Sequence, residues 1–365
     1  MEEYPEEFRT PPLPLVAFIG LPEFHLQVTH YLRAEQPPLA TVSIPDAIGA
    51  ASLAGKERRP PDAKLPSPLG VLKAGWLAKH RQKAASVAVA FFPREKIFGD
   101  PNQWLSVCTQ IDAIKAAIRG RNIKVVVAIA QANAAPLDAS EERLQALRKR
   151  VETEARCCVP FVTGDVAQLR TSLANLAKLV GELAATFYRE EGRRIKTRVE
   201  KKAYSSPEFS VRYNFKIAVY AEFRRDWVAA VKYYNAAYTL LHEVPTPPQE
   251  LQPVQRLVEA KSVAEILHLK LVTLLLHSGN TLEAVTQLRR HLAWYRAREG
   301  PPEGAFLHWA WVSKQYKVFG ELLQSRLAVA GEKPTGGVVA AVTAAVTASA
   351  GGGEREQQPA FYFQL

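Results

Sequence analysis

The side chains best able to do chemistry here are eight histidines, three cysteines and one run of arginines and lysines. Spacing decides what each group can do. A phosphate-binding turn needs glycines placed so that backbone amides can approach the anion. The glycine directly after the first apolar run is Gly20, and Leu21, Pro22 and Glu23 follow it; neither GxGxxG nor GxxxxGK[ST] occurs. Beyond Ile129 the chain reads Ala-Gln-Ala-Asn and not the Asn-Lys-x-Asp that reads guanine. GxSxG and HExxH are also absent, which removes the usual nucleophile elbow and zinc-protease signatures. His25, His30, His80, His242, His268, His277, His291 and His308 have no cysteine or carboxylate at ligand spacing and read as packing or surface residues. Cys108, Cys157 and Cys158 form no Cys-x-x-Cys and no disulfide framework, so they read as buried thiols. The expectation is therefore no catalytic residue, no cofactor and no metal.

The basic run is a different matter. Arg193, Arg194, Lys196, Arg198, Lys201 and Lys202 fall on the distal part of a long helical pattern, interrupted by Glu200. Steps of four and three put Arg194, Arg198 and Lys201 on one face. The bland reading is a solvated face. The functional reading is a contact with an acidic partner or with lipid headgroups, since basic residues near an anionic membrane are attracted to it. RNA-binding surfaces interleave aromatics for base stacking, and this run has none, so nucleic acid is not the expected partner. Near the other end, Trp309, Tyr316 and Phe319 share a helical stripe, while Trp311 lies about 200° round from Trp309 at 100° per residue. Trp311 is expected either to pack on a neighbouring helix or to meet a partner protein, where tryptophan is enriched.

Two kinds of element must position these residues. Up to about residue 166, short apolar runs alternate with amphipathic segments. Leu15–Gly20, Leu39–Ile44, Val87–Phe92, Lys124–Ala130 and Cys157–Val162 read as strands, and their continuous apolar character is that of a parallel sheet covered on both faces. Helical stripes lie between them, around Leu72–His80, at Trp104, Val107, Ile111, Ile114 and Ile118, and at Leu144, Leu147 and Val151. The Pro-rich stretch 45–68 reads as a long loop.

From Ala167 the strand signal stops. Leu169, Leu173, Leu176, Val180, Leu183 and Phe187 mark a long helix, with no proline between Pro160 and Pro207. Further stripes run through Phe209, Tyr213 and Ile217, then from Trp227 to Leu241 behind an Asp226 cap. Others pass through Leu257, Leu267, Leu271 and Leu274, through Leu282, Val285, Leu288 and Leu292, and through Phe306, Trp309, Ser313, Tyr316, Phe319 and Leu323. Ala230, Tyr234 and Ala237 match the core of a tetratricopeptide second helix, and Ala284 and Leu288 repeat it weakly at an irregular interval. The expected architecture is α/β then all-α: a Rossmann-like parallel-sheet domain over 13–166, then an irregular tetratricopeptide-like solenoid over 167–330. Residues 1–12 read as a tail, 331–357 as a low-complexity linker and 358–365 as the start of a further segment.

Composition is compatible with this. The 365 residues are 47% hydrophobic and 23% charged, and the formal charge of +11 favours acidic partners. The acidic start Met-Glu-Glu-Tyr-Pro-Glu-Glu lacks a secretory pattern, and residues 336–353, rich in Ala, Val and Gly, read as linker and not as a membrane span. A cytosolic setting is expected.

Five stretches occur in one order: Gly70–His80, Ile118–Ala128, Tyr213–Phe223 continuing through Ala230–Glu243, Trp311–Gly320, and Gln358–Gln364. Together the chain resembles the foie gras domain family, found in a large subunit of the trafficking protein particle complex. The resemblance implies a non-enzymatic scaffold in a multisubunit vesicle tether that acts in ER-to-Golgi transport and autophagosome formation. It also implies other tether subunits as partners, a Rab-family GTPase as an indirect one, and peripheral placement on Golgi or intermediate membranes. Family members are longer than this chain, and the Ala/Val/Gly insert and the short Pro-rich loop depart from their pattern. The rival readings are a ligand-binding or hydrolytic α/β domain with a helical extension, and a basic nucleic-acid-binding protein.

Overall fold

A computed structural model describes residues 4–54, 71–72, 75–133, 141–152, 154–201, 207–243, 253–296 and 298–330. The Pro-rich stretch from 55 onward, the 331–357 linker and the 358–365 segment lie outside the described residues.

Five strands, β1 (Leu15–Ile19), β2 (Ala40–Ile44), β3 (Val87–Pro93), β4 (Lys124–Gln131) and β5 (Cys158–Val162), form one parallel sheet in the order β2-β1-β3-β4-β5. That order is doubly wound, with the chain reversing direction across the sheet between β1 and β3. The crossovers are supplied by α2 (Pro22–Ala34), α3 (Trp76–Gln82), α4 (Arg94–Phe98), α5 (Pro101–Ile118) and α6 (Glu141–Val151). Asp100 caps α5 by accepting from the amides of Asn102 and Gln103, the usual way of satisfying first-turn donors. A 3-10 turn at Gly49–Ala54 lies inside the stretch expected to be loop, held by Asp46 accepting from the Gly49 amide at 2.7 Å.

On one face of the sheet, Val16, Phe18, Val87, Val89, Phe91, Val126, Ala128 and Phe161 pack against Val28 and Leu32 of α2 and against α7 (Val166–Lys201). The α7 contribution is the stripe Leu173, Leu176, Val180 and Leu183, as the spacing predicts. The alternate residues Ala17, Ala88, Ala90, Val125 and Val127 are equally buried and point to the opposite face by the pleat.

The chain divides into two compact units. One is Thr10–Tyr233; the other joins Met1–Arg9 to the chain from Tyr234 onward. The division does not fall at 166, where the strand signal ends, because α7 is a layer of the sheet domain. Its distal half then packs on α8 (Pro207–Phe223), where the Tyr188 and Phe223 rings stack at 4.2 Å and the Leu15 amide donates to the Tyr188 hydroxyl at 3.4 Å.

The second unit is helical: α1 (Glu6–Arg9), the later part of α9 (Trp227–Leu241), α10 (Pro253–His277), α11 (Thr281–Arg296) and α12 (Ala305–Ala330). Asp226 caps α9 through the Ala229 amide at 3.1 Å. Ala230, Tyr234, Ala237, Ala284 and Leu288 are all buried, as their tetratricopeptide-like spacing predicts. α10 and α11 form a hairpin across Ser278–Asn280, with Gly279 at φ 78°.

On three helices part of the expected stripe lies outside the core. Phe209, at 38% exposed, is outside the α8 core, which is Val211, Phe215, Ala218, Val219 and Phe223. Leu282 is exposed on α11, where Ala284, Val285, Leu288, His291 and Tyr295 are buried. On α12, Phe306 and Trp309 point to solvent at 69% and 52% exposure, and the buried stripe is His308, Gln315, Val318, Phe319 and Leu322. On α11 the rest of the expected stripe, Val285, Leu288 and Leu292, is buried; on α12 His308 and Gln315 occupy core positions, so a search for apolar periodicity shifts the stripe away from the true core face there.

Candidate functional site

An α/β sheet of this order is expected to bind ligands at the carboxyl ends of its strands. At the carboxyl end of β1 the described residues Gly20 and His25 lie close together. Gly20 has φ 77°, and a Cβ there would stand 2.8 Å from the Phe91 carbonyl oxygen. Its glycine serves the close passage of β1 past β3. His25 lies beside it, with Nε2 at 2.6 Å from the Gly20 carbonyl and Nδ1 at 2.5 Å from the Ser43 hydroxyl. A carbonyl only accepts, so Nε2 carries the proton and Nδ1 accepts from Ser43. Burial depresses the His25 pKa, which keeps the ring neutral and the bridge intact.

The groove that holds the basic run is at the other edge. α7 has 36 residues, about 54 Å at 1.5 Å per residue, and overshoots the amino ends of the strands. There it faces the turn leading into β4. Arg121 and Asn122 from that turn, with Arg193, Arg194, Thr197 and Arg198 from α7, line an open cleft of about 820 Å³ together with Gly120 and Glu190. Gly120 makes the turn in the left-handed region at φ 77°, with open space where a side chain would stand. Asn122 donates its amide to Glu190, and Arg194 pairs with Glu191 at 2.6 Å. Burial pulls the Arg121 pKa down, against the opposing pull of Glu191.

Of the three basic residues singled out by spacing, Arg194 and Arg198 line this cleft. Lys201 is the last residue of α7, and its side chain lies outside the described residues. Arg121 is the partner that helical periodicity cannot reveal, because it sits in a turn far away in the chain. Its signal is the Arg119-Gly-Arg-Asn sequence before a strand.

Trp311 has its own setting in the helical unit. Its indole N–H donates to Glu265 of α10 at 3.1 Å. Its ring meets Tyr295 at 5.4 Å and His291 at 5.2 Å, and Lys261 Nζ lies 5.6 Å from its centroid. Trp311 therefore packs on neighbouring helices of its own unit, and the exposed tryptophan of α12 is Trp309. Glu265 is a node: it also accepts from the Tyr4 hydroxyl and pairs with Lys314 at 3.2 Å. Through Tyr4, which is buried, the amino-terminal segment is docked on α10 and α12. Lys261 Nζ lies 2.8 Å from Nδ1 of His308, and burial lowers both pKa values.

Among the described residues no group of three or more His, Cys, Asp or Glu side chains is arranged to hold a metal ion, and no helix is long and apolar enough to cross a membrane. Burial raises the Cys158 pKa to about 11, which keeps that thiol protonated.

Comparison with known proteins matches residues 256–365 to Foie gras liver health family 1, a span that takes in most of α10, then α11 and α12. Trafficking protein particle complex subunit 11 of Bos taurus is 31% identical over 270 residues, 71% of this chain and 23% of the relative. The Gallus gallus and Homo sapiens proteins of the same name are each 30% identical over the same shares. The match thus spans less than a quarter of these relatives' length.

Proposed function

The chain belongs to the family of trafficking protein particle complex subunit 11, and on that premise we propose that it is a non-enzymatic scaffold subunit of a multisubunit vesicle tether. The observation that carries this is the 270-residue match, which runs well beyond the 110 residues of the foie gras domain itself. The process is ER-to-Golgi transport and autophagosome formation. The partners are the other subunits of the tether, with a Rab-family GTPase reached through them. The chain works from the cytoplasmic side, peripherally on Golgi or intermediate membranes.

The architecture supports a scaffold reading. The His25 ring, bridging the Gly20 carbonyl and the Ser43 hydroxyl, stands at the end of the sheet where an α/β enzyme would hold substrate. The helical unit resembles the stacked helix pairs that present extended binding surfaces.

The test is affinity purification of the tagged chain from cells, with each subunit of the trafficking particle quantified by mass spectrometry. Co-purification of those subunits in fixed proportion is expected. A chain that elutes alone, with none of them above the level of an untagged control, overturns the proposal.

A further inference from the structure

The cleft at the amino edge of the sheet combines features that a solvated helix face does not need. Four arginines, Arg121, Arg193, Arg194 and Arg198, line one open concavity from two separate elements. Two carboxylates stand against them: Glu190, engaged by Asn122, and Glu191, engaged by Arg194. Positive charge remains in excess, and the half-buried Arg121 is partly stripped of water. We propose that this cleft is a binding site for a compact polyphosphorylated group, presented as a lipid headgroup or as a free sugar or inositol phosphate.

Guanidinium forks match phosphate oxygens in pairs, and each such bond is charge-assisted. A phosphomonoester concentrates two charges and three acceptors on one centre, and several guanidinium groups can share it. The Asn122 and Thr197 side chains add polar groups on the same wall. The concavity, about 820 Å³, is open to solvent, so it suits a charged group that stays partly hydrated. An extended acidic peptide would spread its carboxylates beyond the cleft. No aromatic side chain is among the lining residues, so a nucleic acid would lack the stacking platforms it uses. The site requires no neighbouring subunit, so its failure would leave the tethering proposal standing.

Binding is measured on the full chain by titration calorimetry with inositol trisphosphate, and by flotation with phosphatidylcholine vesicles containing phosphatidylinositol phosphate. Both are expected to bind, and binding should weaken as salt is raised. Arg193→Gln with Arg198→Gln, both exposed on α7, should lower affinity by about tenfold or more, and Arg121→Gln alone should lower it in the same direction. Arg33→Gln with Lys83→Gln removes the same charge elsewhere in the unit and should leave affinity unchanged. Binding of the soluble probe alone assigns the group to a free metabolite; binding of vesicles alone assigns it to a membrane. The proposal is overturned if neither probe binds or if the control pair weakens binding as much as the cleft pair. It is also overturned if a single-stranded RNA binds the cleft more tightly than either probe and is lost with the same variants.

Discussion

His268 of α10 and His291 of α11 lie face to face, with ring centroids 4.2 Å apart and planes 4° from parallel. Both are buried, and His291 Nδ1 is 2.9 Å from the Tyr238 hydroxyl. His268 Nδ1 and His291 Nε2 are enclosed without a hydrogen-bond partner among the described residues. Burial brings the His268 pKa down to about 3 and holds His291 well below its ordinary value, with His268 and His242 adding repulsion.

The helical unit should therefore weaken in acid. A histidine whose folded pKa is depressed contributes its full stability above the unfolded value near 6.5. That stability is lost below 6.5, as the unfolded chain takes up protons that the folded one refuses. Between pH 7.5 and pH 5 the loss is about 2 kcal/mol for His268, and His291 adds to it in the same direction. Urea unfolding at the two pH values measures it, and His268→Leu should flatten the dependence. An unchanged midpoint in the parent protein would show that the rings are not dry.

Trp311→Ala should destabilise the helical unit by about 2–4 kcal/mol, because it removes a packed ring and leaves Glu265 short of a donor. Trp309→Ala, at a half-exposed position, should change stability by less than about 0.5 kcal/mol. Denaturant titrations of the pair decide which face of α12 is core. The reverse order of effects would restore the periodicity-based face.

Tyr4→Ala should release the amino-terminal segment. The ring lies 4.4 Å from Lys314 Nζ, and the hydroxyl is bonded to Glu265. Cleavage after Glu6 by a glutamyl endopeptidase should accelerate by about tenfold, as a local opening becomes easier. Equal rates in parent and variant would mean that the segment is not held through Tyr4.

Gly20→Ala should cost about 2 kcal/mol or more, since strain at φ 77° is joined by a backbone clash with Phe91. Gly120→Ala has the same φ but open space, and should cost only about 1 kcal/mol. Thermal melts of the two variants separate conformational strain from steric conflict.

The strands and the first half of α7 follow from residue pattern alone. Val16–Ile19, Val87–Phe92 and Val125–Ile129 are apolar without interruption because both faces of a parallel sheet are covered, and α7 repeats leucine and valine because one side of it lies on that sheet. Gly20, followed by Leu21, Pro22 and Glu23, was legible as no phosphate loop. That α7 belongs to the sheet domain comes from its packing, since a leucine stripe is the same whether it meets a strand or another helix. Packing also decided the face of α12: His308 and Gln315 are buried there, His308 beside Lys261 of α10. Periodicity counts apolar residues and cannot see a polar one whose partner is on another element. The cleft is the extreme case. Arg193, Arg194 and Arg198 stood out as a run on one helix, but the guanidinium of Arg121 joins them only because the turn before β4 folds against the overhanging end of α7. Local spacing records what one helix presents; a site assembled from two distant segments exists only once the chain has closed on itself.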